Sequence, residues 1–294
     1  MQRTIDQFRR LGLPLREPTS DHQLEVLAAR LDARLPSEIV ELYRAFGGLD
    51  ESPRFPMRYP MRLMPPDEVV ETRELLLDQA EMLSPAPDAR YFWTDDNSDW
   101  AGVFVTGPLV GKVCVLDHHE PDDVPLYRTV ARFFEELVRA IVAGTDWFDA
   151  NDYPSPRCLA PPLHDEDVAI VRALRDELAR SEPEHRVRLG LHILQITPAS
   201  QIAELMEFLD WESPWVQSTA CRLMGLRDHP PAIPRLDAIA RADASNNSVI
   251  AALLALGLMT DPRAREVLSA LRDTIDPGFS IYFEPPPPAG QDDR

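Results

Sequence analysis

The chain changes rhythm halfway. Its first half mixes short helical stripes with β-branched and aromatic runs, and its second half keeps a helical period throughout. Thr4–Leu11 reads as a short helix. Ser20-Asp21-His22-Gln23 forms a capping box, and Leu24, Leu27, Ala28 and Leu31 then recur at helical spacing, predicting a helix to about Ala33. Leu35-Pro36-Ser37-Glu38 starts another helix, with Ile39, Leu42, Tyr43 and Phe46 facing inward and Gly47-Gly48 ending it. After a proline-rich loop at 52–59, Met61–Met64 is a short strand. Pro65-Pro66-Asp67-Glu68 then opens a helix to about Met82.

The centre of this half is 90–119. Tyr91-Phe92-Trp93 is a strand, Asp95-Asp96-Asn97-Ser98-Asp99 an acidic turn, and 100–105 with 112–116 a hairpin closed by Gly107-Pro108-Leu109-Val110-Gly111. A second acidic loop follows at 117–123. Thr129 then caps a helix whose apolar positions are Phe133, Phe134, Leu137, Val138 and Ile141, closed by Gly144. Helices and a small antiparallel sheet make an α+β domain over 1–150, and the four prolines of 151–162 read as a linker.

From 163 to 275 the chain repeats itself. Met224-Gly225-Leu226-x-x-His229-Pro230 returns 32 residues later as Leu256-Gly257-Leu258-x-x-Asp261-Pro262, and Gln195-Ile196-Thr197-Pro198 is a degenerate earlier copy. The unit is helix, turn, helix. Val168–Leu178 pairs with His185–Leu194, Ile202–Leu209 with Trp215–Leu226 and Ile233–Ala240 with Ser248–Leu258, while Arg263–Leu271 closes the stack. Such pairs bury their apolar faces only on their neighbours, so Leu223, Leu254 and Leu268 are expected inside an all-α solenoid. Residues 276–294 read as an extended proline-rich tail.

Composition adds limits. A net charge of −19 disfavours nucleic acid and anionic membranes as partners. Residues 95–152 carry 12 acidic side chains against Lys112, Arg128, Arg132 and Arg139, a balance of −8, which would attract a basic partner. Three scattered cysteines suit neither a disulfide framework nor a zinc site. With no secretory h-region behind the N-terminus, they suggest a cytoplasmic protein.

Candidate chemistry is thin. Asp95, Asn97 and Asp99 match positions one, three and five of a calcium loop, but Trp100 stands where its glycine belongs and Thr106 where its last acid belongs. His118 and His119 are adjacent at a strand end and point to opposite faces, which disfavours a shared metal. No nucleophile elbow, phosphate loop, dinucleotide fingerprint or zinc motif occurs. The expectation is a protein without enzymatic activity, metal or cofactor.

Three segments carry a resemblance. Leu35-Pro36-Ser37-Glu38-Ile39-Val40-Glu41-Leu42-Tyr43-Arg44-Ala45-Phe46-Gly47-Gly48, the strand–turn–hairpin at 91–116, and Thr129-Val130-Ala131-Arg132-Phe133-Phe134-Glu135-Glu136-Leu137 resemble the SUKH (Smi/Knr-like) superfamily. Asn97-Ser98 replaces that family's glycine-rich turn, and Ala131 stands where serine is common. The second half resembles short HEAT-like repeats. The first resemblance implies a binding protein, most often a bacterial immunity protein that neutralises a toxin. Its partner-binding face would comprise Asp95, Asp96, Asp99, Trp100, His118, His119, Glu120, Asp122 and Asp123. The alternative is an intracellular scaffold or adaptor whose solenoid holds the main partner.

Overall fold

The computed structural model describes residues 1–50, 61–79, 86–96, 99–116, 124–143, 165–242, 245–272, 274–275, 278–279 and 282. The chain divides into two compact units, Met1–Pro162 and Leu163–Arg294.

In the first unit α1 (Gln2–Arg9), α2 (Asp21–Arg30) and α3 (Ser37–Ala45) precede the sheet. The capping box of α2 forms as expected: Ser20 Oγ accepts from the Gln23 amide, and Gln23 Oε1 accepts from the Ser20 amide. The end of α3 differs from expectation. Phe46 already leaves the helix in an extended conformation, and Gly48 takes φ +100° two residues later. A Cβ on Gly48 would lie 2.8 Å from the Pro65 nitrogen, and one on Gly47 would lie 2.4 Å from the Glu17 carbonyl oxygen. These glycines let an extended segment run between two others rather than cap a helix. On one side Arg16 N–H donates to Gly48 O, and on the other Leu49 N–H donates to Leu63 O. Pro14 and Pro18 flank the outermost segment, blunting that sheet edge.

Beyond them lies a five-stranded antiparallel sheet in sequential order: β1 (Arg62–Leu63), β2 (Ala89–Thr94), β3 (Trp100–Phe104), β4 (Val113–Leu116) and β5 (Val124–Tyr127). The loop between β3 and β4 turns on Gly107 and Gly111, both at positive φ. Pattern reading missed β5 because Pro125 interrupts its apolar run. The strand is at an edge, where a missing donor costs nothing. α4 (Pro66–Asp78) and α5 (Val130–Ala143) complete the unit. All five apolar positions expected in α5 are buried, and Phe133 packs on Trp93 with ring centroids 4.7 Å apart.

α5 has two caps. Thr129 Oγ1 accepts from the Arg132 amide, as its position suggested. The Glu38 carboxylate of α3 also reaches across to accept from the Val130 and Ala131 amides at 3.1 and 3.3 Å.

The second unit is helical: α6 (Asp165–Leu178), α7 (Pro183–Ile196), a 3₁₀ segment (Ala199–Asp210), α8 (Pro214–Leu226), α9 (Ile233–Arg241), α10 (Asn246–Leu258) and α11 (Pro262–Arg272). Prolines open α7, α8 and α11, where an unpaired donor would stand anyway. Ala199–Asp210 is the expected helix in position but not in type: it is 3₁₀, with a kink of non-helical dihedrals at Gln201. Within the pairs, α6 packs on α7, the 3₁₀ segment on α8, and α9 on α10. Of the three leucines expected inside, Leu223 is buried. Leu254 and Leu268 are half-exposed, and Leu253 and Leu271 fill the interior instead.

Candidate partner-binding surfaces

The acidic turn between β2 and β3 is built inward. The Asp95 amide donates to Asp99 O, the Asp99 amide to Asp95 Oδ1 at 3.0 Å, and the Asp96 amide to Thr94 Oγ1 at 3.1 Å. Asp95, Asp99 and Trp100 are buried. Asp96 sits at φ +62°, and its carboxylate receives Arg62 Nε at 3.0 Å and Nη2 at 2.6 Å. The Arg62 side chain is only 5% exposed. Its guanidinium also grips Glu68 of α4 at 2.7 and 2.8 Å and the Leu49 carbonyl at 2.7 Å. Burial alone lowers the Arg62 pKa, but the hydrogen bonds to Glu68 and Asp96 outweigh it and raise it above the ordinary arginine value. The guanidinium therefore stays charged, and it joins β1, α4 and the turn.

Of the nine residues expected on a docking face, the structure thus brings together Asp95, Asp96, Asp99 and Trp100. The other five, His118, His119, Glu120, Asp122 and Asp123, lie outside the described residues. Sequence reading overlooked Arg62, whose one signal was an arginine inside the apolar run Met61–Met64. Among the described residues no group of three or more His, Cys, Asp or Glu side chains is placed to hold a metal ion. Burial pushes the Cys221 thiol up to about 12, so it is protonated and unreactive at neutral pH.

An open groove of about 650 Å³ lies between α2 and α4. Its lining includes Arg16, Thr19, His22, Val26 and Val70. Arg16 is held by Asp50 through Nε at 2.6 Å and by Asp67 through Nη1 at 3.1 Å, and the Asp50 hydrogen bond leads in raising its pKa. The guanidinium is thereby neutralised from within the unit.

The second unit offers an organised surface. α7 packs on α8 and α8 on α10, so these helices form an inner row. α7 and α8 each give up one side chain for close approach. A Cβ on Gly225 of α8 would lie 2.5 Å from the Ala255 Cα of α10, and one on Gly190 of α7 would lie 3.0 Å from the Trp211 ring. The turns after the helices lock the row from repeat to repeat. Arg227 Nη1 donates to Thr197 O at 2.8 Å. The Thr260 amide donates to Asp228 Oδ1 at 2.9 Å, with the Thr260 hydroxyl on Oδ2.

The outward stripe of α8 is Trp215, Thr219, Arg222 and Leu226, at helical spacing. The same repeat positions on α10 are Asn247, Ala251, Leu254 and Leu258, and all eight are exposed or half-exposed. Trp215, Leu226 and Leu258 are 45%, 43% and 38% exposed, large apolar surfaces aligned on neighbouring helices. α10 carries no charged residue along its length.

Residues 202–278 match the family model of HEAT repeats, from within the 3₁₀ segment through α11. No family model of the SUKH type matches the first half. No curated protein matches the chain. Stacked helical repeats of this kind present extended surfaces for protein–protein contact. Among the described residues no helix is long and apolar enough to cross a membrane.

Proposed function

We propose that the chain is a non-catalytic scaffold or adaptor whose helical repeats hold its main protein partner. The observation that carries this reading is the match of residues 202–278 to HEAT repeats. The aligned open stripes of α8 and α10 on the same segment support it. This puts the adaptor reading ahead of the immunity reading, which rested on the first half and on an outward acidic field. The placement of Asp95 and Asp99 inside their turn, and of Asp96 on Arg62, weakens that field. The first unit is a SUKH-like module in this proposal. Its order of helices, antiparallel sheet and closing helix supports that resemblance.

The test is affinity capture from the native cell with the full chain and two variants. Trp215→Ala with Leu258→Glu alters the open stripes. Asp122→Asn with Asp123→Asn alters the acidic loop. The adaptor reading expects a partner retained by the wild type to be lost by the first variant and kept by the second. The reverse pattern restores the immunity reading.

A further inference from the structure

The groove between α2 and α4 has no part in either reading of the chain's function. At about 650 Å³ it is of the size that holds a small organic molecule. Much of its lining is apolar. Pro18, Leu27, Pro66 and Val70 contribute, together with Val26, which is 46% exposed.

The polar groups of the lining narrow the choice of occupant. Thr19 is only 7% exposed. Its amide donates to Tyr43 O at 2.8 Å, but its hydroxyl makes no hydrogen bond to the described residues. The hydroxyl oxygen is not fully enclosed, so a group in the groove can reach it. The Glu17 carbonyl oxygen likewise accepts no hydrogen bond from the described residues. Both oxygens border Gly47, which also lines the groove: a Cβ there would stand 2.4 Å from Glu17 O and 3.4 Å from Thr19 Oγ1. Polar atoms drawn this far from water without partners are costly, and an occupant that donates to them offsets the cost.

Charge points the same way. The arginines of the lining are already committed, Arg16 to Asp50 and Asp67, and Arg30 to Glu74 at 3.0 Å. The exposed Glu17 carboxylate has no ion-pair partner among the described residues. An anion entering the groove would meet neutralised guanidiniums and a free carboxylate. What is left uncompensated is negative and rich in acceptors.

We propose that this groove binds a small apolar ammonium ion, an alkyl or arylalkyl amine in its protonated form. The apolar body lies against Val26, Pro66 and Val70. The ammonium, which donates in three directions and accepts in none, bonds to Thr19 Oγ1 and is held by the field of Glu17. The proposal does not rest on the adaptor reading, and the capture experiment with the α8 and α10 variants remains a separate readout.

The probe is phenethylammonium, titrated against the full chain at about pH 8, where imidazole side chains are ordinarily neutral. Hydrocinnamate and phenethyl alcohol carry a similar apolar body with an anionic and a neutral head. Proton–nitrogen correlation NMR should show saturable shifts centred on the Val26 and Val70 amides, with a dissociation constant on the order of 1 mM. The other two ligands should bind at least about 5-fold more weakly. Thr19→Val should weaken the ammonium about 3–10-fold and Glu17→Gln about 2–5-fold. Val26→Trp fills the groove from an exposed position and should abolish binding. Thermal melts check the fold. Thr19→Val should hold the melting temperature within about 2 °C or raise it, since the hydroxyl has no partner to lose. A larger fall would assign that hydroxyl to the fold and overturn the proposal. So would absence of binding, shifts centred elsewhere, hydrocinnamate or phenethyl alcohol binding as well as the ammonium, or binding indifferent to Thr19→Val and Glu17→Gln.

Discussion

Replacing Arg62 with methionine isolates the work done by the acidic turn. The substitution keeps an unbranched side chain of similar reach but removes every donor. The structure sets the terms of the loss. Six hydrogen-bond contacts to Leu49, Glu68 and Asp96 disappear from a side chain that is 5% exposed. Breaking a buried ion pair by removing one partner costs about 3–5 kcal/mol. The Glu68 and Asp96 side chains, however, are 30% and 38% exposed and recover water, so their share falls toward the ~0–1 kcal/mol of surface pairs. The Leu49 carbonyl loses its donor in a buried place, at ~1–3 kcal/mol. A net loss of about 2–4 kcal/mol follows. Arg62→Lys should recover less than half, because one ammonium cannot satisfy two carboxylates and a carbonyl in a fork. Urea unfolding of the full chain, followed by tryptophan fluorescence and circular dichroism, reads the effect. The transition of the first unit should move and that of the repeats should not. A loss below about 1 kcal/mol, or equal movement of both transitions, would refute the view of Arg62 as a clamp.

Other consequences are as direct. Leu253→Ala should cost about 2–5 kcal/mol as a cavity in the repeats, and Leu254→Ala below about 1 kcal/mol, both measured by urea melts. Glu38→Ala should remove about 0.5–2 kcal/mol by uncapping α5 from a distance, visible as earlier unfolding of the first unit. Hydrogen bonds from the Thr260 side chain and then its amide hold the Asp228 carboxyl below its ordinary value of 3.8. A carboxyl depressed on folding stabilises above its unfolded pKa and loses that contribution as pH falls through its folded pKa. The repeats should therefore weaken on acidification below about pH 4, and Asp228→Asn should flatten that part of the stability–pH curve.

What could be read from the sequence was local. The Ser20–Gln23 box, the Thr129 cap, the glycine-bounded hairpin and the stripe of α5 each lie within a few residues, and each forms as expected. What escaped depends on distance. Glu38 caps a helix 92 residues away, and Asp96 answers an arginine 34 residues earlier. Neither leaves a periodic trace. The phase of α10 was lost for another reason. Asn-Asn-Ser-Val-Ile-Ala-Ala-Leu-Leu-Ala-Leu-Gly-Leu has no polar residue after its first turn to mark the outside, so Leu254 and Leu253 look alike. The repeat itself held the missing signal, since Leu254 is the 32-residue copy of Arg222, an outward position. At the proposed binding surface the sequence disclosed the 32-residue period but not how its copies differ in packing, which appears only when Gly257 and Leu268 are compared with Gly225 and Leu236 among the described residues.

The central claim is that the repeats, not the acidic turn, hold the partner. Photocrosslinking in the native cell tests it most directly, with benzoylphenylalanine placed singly at Trp215, Leu254, Leu258, Asp96 and Asp122 of the full chain. The account expects one protein to be trapped from the three repeat positions and not from Asp96 or Asp122. Crosslinks confined to Asp96 and Asp122, with none from α8 or α10, would contradict it.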